Sequence, residues 1–448
     1  MSDALVRAVT VSATGEPAAS AAALESNAFS PGNCLAYGLL GLPLAFVALP
    51  LYVILPNHYA RAFGVPLATL GAILLGARLF DAFIDPFLGR LSDRLFARSA
   101  RSVLVLGAAA ALVLALGFAL LFFPLVHSPN ALIFWASAML VITYAAYSAL
   151  SVSHQSWGAM LGGNEVQRSR VVAWRETLGL VGVVLASVTP VALGLPATTA
   201  IFFIALAGGW LAWTRAVRPV SRALPAQAGA QPAALWRPFR HANFRRLLAV
   251  FMLNGIASAV PATLVLFFIQ DRLQASPSLE PLFLGAYFLS AALSIPLWLA
   301  LVKRLGLVSS WLCGMFLAIS VFAWATQIGA GQTAAFLLVC ALSGVALGTD
   351  LALPGALLAG VIQSNGDSGT AEGAYFGWWN FATKLNLALA AGLALPLLGR
   401  FGYAPGVQTS QALSALVIAY CVLPCLLKLA AAAGLYFFIL KKPESTPP

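Results

Sequence analysis

The sequence predicts an all-α polytopic membrane protein in which twelve membrane-spanning helices form two six-helix bundles. The chain has 448 residues, of which 61% are hydrophobic and only 9% are charged, and its mean hydropathy is +0.90. A soluble domain carries about 25% charged residues. Apolar runs that reach the roughly 20 residues needed to cross the hydrocarbon core recur along almost the whole chain. An ordinary soluble protein is therefore excluded.

Each predicted span is an apolar run with polar or helix-breaking residues at its ends. The first six lie near residues 35–56, 67–88, 102–124, 131–157, 172–193 and 198–215, and the second six near 246–270, 280–301, 306–328, 333–361, 373–399 and 411–438. A basic stretch rich in Pro and Ala separates the two sets. We therefore divide the chain into a tail (1–34), a six-helix bundle (35–215), a basic linker (216–245), a second bundle (246–438) and a second tail (439–448).

The distribution of Lys and Arg predicts that both tails and the linker are cytoplasmic. Basic residues are concentrated between spans two and three, between four and five, in the linker and after the last span, whereas the opposite side keeps only Arg61, Arg272 and Arg400. The net charge of +11 is explained by these loops and by anionic headgroups, so it does not indicate nucleic-acid binding. Residues 1–33 lack the pattern of a cleaved signal peptide and are expected to form a disordered tail. The five cysteines show no metal-binding or disulfide pattern.

Residues 71–94 carry three charges on one side of a predicted helix. Arg78, Asp81 and Asp85 interrupt an apolar run that we expect to end at Pro86. At about 100° per residue, Asp85 returns to within roughly 20° of Arg78. Each charge costs on the order of 2.5–3.5 kcal/mol at the bilayer centre unless it finds a partner, a bundle interior or a wet cavity. The pattern favours a cation site of hard oxygen ligands. A clamp between Arg and carboxylate that only fixes the fold is the alternative.

Lys384 lies in the middle of the eleventh span. Because an unpaired ammonium is costly there, we expect it to face Asp81 or Asp85 across the two bundles. The alternative is that it only fixes helix packing.

Four further charged residues lie within spans or near their ends. Arg175 is followed directly by Glu176, so the two are expected to face different directions, with Glu176 in an ion pair at the cytoplasmic end. Asp350 either caps a helix broken near Pro354 or has a functional role. Lys428 is expected to extend along its helix toward the interface.

Two groups of polar and aromatic residues are candidates for binding a solute. In the fourth span, hydroxyl, amide and ring side chains recur at spacings of three and four, and near Lys384 a second group follows the same logic. Such groups suit a polyhydroxylated ligand, but they equally suit interhelical hydrogen bonding and aromatic packing. His154 is open to three interpretations: packing, ligand contact or proton carrier. The residues are Tyr147, Ser148, Ser151, His154 and Gln155 in the fourth span, and Tyr375, Trp378 and Asn380 in the eleventh.

The stretch GARLFDAFIDPFLGRLSDR (76–94) resembles the second-helix signature of the glycoside–pentoside–hexuronide:cation symporters, relatives of melibiose permease within the major facilitator superfamily. Its end, with Gly89, Asp93 and Arg94, also fits the superfamily's cytoplasmic gating-loop motif. Four more stretches agree in order: YGLLGLP (37–43), GNEVQRSRVVAWRETLGLVG (163–182), GTDLALPGALLAGVI (348–362), and GTAEGAYFGWWNFATK through GYAPGV (369–407). The resemblance implies the major facilitator fold, with twelve transmembrane helices in two six-helix bundles.

The resemblance also implies roles for single residues. Asp81 and Asp85 match the two cation-site carboxylates, Ser148 falls where the family has a hydroxyl ligand, and Lys384 matches a lysine beside that site. We place Arg78 with Lys384 in coupling. Arg175 matches an arginine associated with the sugar cavity, so the substrate-binding candidates are Arg175, Ser151, His154, Gln155, Tyr147, Tyr375, Trp378 and Asn380.

The sequence departs from the family where the sugar hydroxyls are gripped. Acidic residues of the first and fourth helices are replaced by Ala45 and Ser151, and a ring-stacking tryptophan by Gln155. The cation-site residues are thus present while the family's sugar clamp is missing.

The function predicted from this pattern is symport of a sugar or glycoside-like solute with Na⁺ or H⁺ by alternating access. We expect a monomer that spans the bacterial inner membrane many times, with no cofactor, no nucleic-acid partner and no enzymatic activity. The first alternative is a proton-coupled carrier of a lipid, drug or other non-sugar solute, which the lost acidic anchors favour. A nutrient sensor or scaffold with a transporter-like fold is the second.

Overall fold

The computed structural model describes residues 29–65, 67–219, 235–403, 406 and 409–440. These residues form helices joined by short turns, and no strand occurs among them. Residues 1–28 of the first predicted tail (1–34), residues 441–448 of the second (439–448) and residues 220–234 of the predicted linker lie outside the described residues.

The first half contains six helices. The first, α1, is divided into Pro31–Gly38, Gly41–Leu49, a π-helical turn at Pro50–Ile54, and Leu55–Phe63. It is followed by α2 (Leu67–Arg98), α3 (Ala100–Phe122) and α4 (Pro129–Met160), and then by α5 (165–193) and α6 (195–215), which share the segment Glu165–Arg215.

The second half repeats this count. A short helix at Arg237–Arg240 precedes α7 (Ala242–Arg272). The remaining helices are α8 (280–305) and α9 (307–325), which share the segment Glu280–Ala325, then α10 (Thr333–Ser364), α11 (Glu372–Arg400) and α12 (Ser410–Leu440).

Two glycines let the chain turn between helices without a loop. Gly194 joins α5 to α6 and Gly306 joins α8 to α9, and both have φ of 78° inside otherwise helical segments. Only glycine adopts this region readily, because it has no Cβ. The adjacent spans of each pair are therefore separated at these glycines.

Nine helices of the described part are long and apolar enough to cross a membrane, with Glu280–Ala325 taken as one. The helices α2 and α11 are additional to that set, and Gly306 divides Glu280–Ala325 into two. The predicted twelve-helix, two-bundle fold is therefore compatible with the structure.

Two prolines do not end or break their helices as the sequence predicted. α2 does not end at Pro86 but continues to Arg98, so the predicted gating loop is helical. α10 likewise runs through Pro354 from Thr333 to Ser364 without a break. A proline removes one backbone hydrogen bond and bends a helix, but a helix packed on its neighbours can continue through it.

The two bundles are in contact at one end, which we call the linker face: the end at which α6 finishes at Arg215 and α7 begins at Ala242. A buried apolar cluster of the second bundle there includes Val152 of α4 and Ala173 of α5. Apolar burial thus extends across the interface at this end.

Candidate functional site

One ammonium of the second bundle contacts two carboxylates of the first. Lys384 Nζ on α11 lies 2.7 Å from Asp81 Oδ2 and 2.8 Å from Asp85 Oδ2, both on α2. Ser148 on α4 donates a 2.6 Å hydrogen bond to Asp81 Oδ1 and accepts one of 2.8 Å from Lys384. The side chains of Asp81 and Asp85 are 2% and 0% exposed, whereas that of Lys384 is 21% exposed. The sequence predicted this juxtaposition.

The charge of this cluster is unbalanced. Two carboxylates face one ammonium, and neither oxygen of Asp85 accepts a well-formed hydrogen bond in the described part of the chain. Buried charges normally carry a partner and saturated hydrogen bonds. A bound cation or proton is the kind of species that would satisfy this carboxylate.

Arg78 lies one turn before Asp81 on α2, and its side chain is exposed. The contacts within the buried cluster join Asp81, Asp85, Ser148 and Lys384, and Arg78 takes part in none of these.

Glycines bring α2 and α11 close enough for these contacts. A Cβ on Gly377 would lie 2.7 Å from the carbonyl oxygen of Asp85, and one on Gly89 would lie 1.9 Å from the carbonyl oxygen of Gly373. Small residues allow helix backbones to approach in this way. The helix crossing therefore depends on the absence of side chains at these two positions.

Asp93 joins the same two helices at the linker face. Its carboxylate accepts hydrogen bonds from the amides of Gly373 (2.6 Å) and Ala374 (2.8 Å), in the first turn of α11. An acidic group is favourable there because the first amides of a helix lack intrahelical acceptors. Gly89 packs in the same crossing, whereas Arg94 is exposed.

Two further polar contacts connect the bundles at this face. Arg168 donates a 2.6 Å hydrogen bond to Gln363, and Glu165 accepts one of 3.0 Å from the amide of Leu307. The passage between the bundles is therefore closed at the linker face.

Among the candidates on α4, His154 contacts α1, whereas Gln155 and Ser151 contact each other. His154 is fully buried, its Nε2 lies 2.8 Å from the carbonyl oxygen of Tyr37, and its ring stacks on Tyr37 at 4.2 Å between centroids. Packing, one of the three interpretations left open, is the role these contacts describe. Gln155 donates to Ser151 within the same helix at 3.0 Å, and Tyr147 is half-buried one turn earlier.

Arg175 and Glu176 form an ion pair with each other. Glu176 therefore has the ion pair that was expected of it, and its partner is Arg175, whose long side chain reaches the carboxylate of the next residue. Both side chains remain partly exposed.

Tyr375 and Trp378 lie away from Lys384, at the linker face. Tyr375 donates to Asp367 at 2.7 Å, and Trp378 donates to the carbonyl of Leu235 at 2.9 Å. These contacts hold the start of α11 against the chain entering α7, so both residues are placed in packing. Asn380 is half-buried one turn before Lys384 and shares its face of α11.

A second charged cluster was not anticipated as a unit. Lys428 on α12 does not extend to the interface; it is buried and lies 2.9 Å from Asp350 Oδ2 on α10. It also donates to Asn254 on α7 at 2.7 Å. Two opposite charges, each in an apolar span, were the signal that could have predicted this pair.

The architecture is that of the major facilitator transporters. A bacterial homologue of the iron transporter ferroportin, in an outward-facing state, superimposes with a TM-score of 0.66 at 15% identity, covering 92% of this chain and 98% of the other. A single-site variant of the E. coli fucose:proton symporter FucP gives 0.61 at 15% identity, covering 90% and 98%. FucP in the outward conformation gives 0.65 at 14% identity, covering 90% and 99%.

The chain belongs to the MFS/sugar transport protein family, whose model matches residues 35–442. It is therefore a multi-pass membrane transporter of the major facilitator superfamily. Among curated proteins, no significant match was found.

Proposed function

We propose that this protein is a symporter that couples entry of Na⁺ or H⁺ to uptake of a sugar or glycoside-like small solute. The observation that carries the proposal is the contact of Lys384 with both Asp81 and Asp85 across the bundle interface. Resemblance to the glycoside–pentoside–hexuronide:cation symporters and membership of a sugar-transport family support the same function.

The mechanism follows from the charge of the cluster. With two carboxylates and one ammonium, the site has a surplus negative charge that a cation or proton neutralises. The arriving ion competes with Lys384 for the same oxygens, so it weakens the contact between α2 and α11. Ser148 contributes a hydroxyl oxygen to whichever cation is bound.

Coupling requires that the ion and the solute each bind one conformation better than the other, because a ligand shifts an equilibrium only by its differential affinity. The described state is closed at the linker face through Asp93, Arg168 and Glu165. With the linker cytoplasmic, as the Lys and Arg distribution predicts, this state faces outward in a bacterial inner membrane. Binding of both ligands favours release of these contacts.

Uptake by reconstituted protein tests the proposal. Proteoliposomes should accumulate one member of a panel of labelled sugars and glycosides when an inward Na⁺ or H⁺ gradient is imposed, and should only equilibrate it without a gradient. Equal accumulation with and without either gradient would contradict coupling.

A proton-coupled carrier of a non-sugar solute is the second candidate. It is favoured by Ala45, Ser151 and Gln155, which replace the acidic and ring-stacking residues of the sugar-binding relatives. Uptake of an amphiphile, with no uptake of any sugar in the same panel, would select it.

A further inference from the structure

A cavity of about 160 Å³ lies inside the second bundle, among α7, α8, α9, α10 and α12. It is separate from the contacts of Lys384 with α2. Its lining includes the paired charges Asp350 and Lys428, and the rest is formed by aromatic rings, aliphatic side chains, small residues and hydroxyls. A mostly apolar cavity with a few convergent polar groups is typical of small-molecule sites.

The carboxylate of Asp350 accepts four hydrogen bonds. Its Oδ1 accepts from Asn254 Nδ2 and Trp311 Nε1, both at 2.9 Å, and its Oδ2 accepts from Ser258 at 3.1 Å and from Lys428 at 2.9 Å. The charges of Asp350 and Lys428 cancel. The side chain of Asp350 nevertheless remains 15% exposed, against 5% for Lys428, so the carboxylate can still be reached.

The cavity wall also offers hydroxyls that make no hydrogen bond within the described residues. Tyr420 lines the cavity and is only 4% exposed, yet its hydroxyl has no partner there, and the same holds for the half-buried Tyr287. The ring of Tyr420 is fixed by stacking on Phe268 at 4.3 Å. Neither hydroxyl is among the fully buried side-chain atoms that lack a partner, so both oxygens keep accessible surface at the cavity wall. These hydroxyls are available to a bound molecule.

Charge balance decides which class of molecule fits. A neutral hydroxylated solute can bond to Asp350, Ser258 and the phenols while its apolar face packs on the rings. An amine or a carboxylate would add a charge that the pair does not compensate, and an uncompensated buried charge is strongly unfavourable.

We propose that this cavity is a substrate subsite for a neutral hydroxylated solute with an apolar face, such as a glycoside. The inference rests on the proposed function, because it names where that solute is held. It also supplies, in the second bundle, the carboxylate anchor that Ala45 and Ser151 do not provide in the first.

The subsite is connected physically to the helix that carries Lys384. Asn254 of α7 bonds to both Asp350 and Lys428, and its neighbour Gly255 packs so closely on Asn386 of α11 that a Cβ there would lie 2.0 Å from the amide nitrogen. Asn386 follows Lys384 by two residues. A solute that shifts α7 therefore acts directly on α11.

Ala262→Phe and Tyr420→Phe test the subsite without disturbing the ion pair, and Ala249→Phe is the matched control for the added ring. Ala262→Phe fills the cavity from an exposed position of α7, and Ala249→Phe places the same ring on an exposed position of α7 outside the lining. Tyr420→Phe removes only the hydroxyl without a partner. Titration calorimetry of the purified full chain would use the phenyl glycosides of glucose, galactose, mannose and xylose, with phenethylamine and benzoate as charged probes.

We expect at least one phenyl glycoside to bind the unmodified protein and Ala249→Phe equally. Ala262→Phe should weaken that binding at least about tenfold, and Tyr420→Phe about 3- to 10-fold, as for one lost hydrogen bond, without a lower melting temperature. Unchanged binding to Ala262→Phe, binding of only a charged probe, or no binding of any neutral probe would overturn the subsite.

The outcomes also separate the subsite from cation coupling. Loss of glycoside binding in Ala262→Phe together with gradient-independent uptake would retain the subsite and reject symport. Gradient-driven uptake together with unaltered glycoside binding in Ala262→Phe would retain symport and reject the subsite.

Discussion

Lys384 and Asp85 lie in different bundles, and their charged atoms are 2.8 Å apart. The ammonium is thus part of the interface between bundles, and it shares its second contact, of 2.7 Å, with Asp81. An ion that binds the carboxylates would alter this interface, so in the proposed symport ion binding and conformational change involve the same atoms.

Removing the ammonium should strengthen cation binding. Lys384→Ala leaves two buried carboxylates without their positive partner, so added Na⁺ or a lower pH should raise the melting temperature more than in the unmodified protein. Thermal unfolding in NaCl and in choline chloride at several pH values measures this. The double variant Lys384→Ala/Asp81→Asn should reverse much of the gain. Equal responses of Lys384→Ala and the unmodified protein would show that the carboxylates bind neither species.

Adding a methyl group at the helix crossing should open the linker face. In Gly377→Ala the new Cβ would lie 2.7 Å from the carbonyl oxygen of Asp85, so α2 and α11 must separate. In a cysteine-free background, spin labels at the exposed positions Arg101 and Lys303 should then be several ångströms further apart by pulsed EPR. Gly76→Ala on α2, where nothing lies within 4 Å of the new methyl group, is the matched control. An unchanged distance in Gly377→Ala would contradict the role of this crossing in closure.

Asp93→Ala should loosen the start of α11. The substitution removes both hydrogen bonds to the amides of Gly373 and Ala374. Because one bond to a charged group contributes about 1.5–3 kcal/mol, amide hydrogen exchange in peptides covering 369–380 should be at least about tenfold faster. Arg98→Gln, an exposed change at the end of α2, should leave amide exchange in the peptides covering 369–380 unaltered. Equal protection in Asp93→Ala would show that other contacts hold this face closed.

His154→Phe should lower stability without changing coupling. The ring can still stack on Tyr37, but the buried carbonyl of Tyr37 loses its 2.8 Å partner, at a cost of about 1–3 kcal/mol. Denaturant unfolding measures the loss, and the pH profile of uptake should match that of the unmodified protein. A profile that loses its pH dependence would instead identify His154 as a proton carrier.

The sequence predicted the fold and the main cluster because the bilayer constrains both. Apolar runs must be helical, and a lysine in the middle of a span must find a counter-charge, which led from Lys384 to Asp81 and Asp85. The Asp350–Lys428 pair obeys the same rule, but each charge taken alone predicts something else: Asp350 a helix cap or a functional role, and Lys428 extension toward the interface. A search for the partner of each buried charge would have joined them.

The position of a residue along the length of its helix was harder to predict than the face of the helix on which it lies. Tyr375 and Trp378 precede Lys384 on α11 by more than a turn, and their partners, Asp367 and Leu235, lie outside that helix. Helix periodicity gives the side on which a residue lies but not the neighbour it meets there. The continuation of α2 past Pro86 was missed for a related reason, because its packing on α11 is a tertiary effect.

Uptake by proteoliposomes containing Asp85→Asn tests most directly whether the Asp81–Asp85–Lys384 cluster is the coupling site. Glu280→Gln, which keeps an acceptor oxygen outside the cluster, is the matched control for the loss of one carboxylate. Solute should still equilibrate through Asp85→Asn but should no longer accumulate in response to a Na⁺ or H⁺ gradient, while Glu280→Gln accumulates it normally. Full gradient-driven accumulation by Asp85→Asn would contradict the central claim.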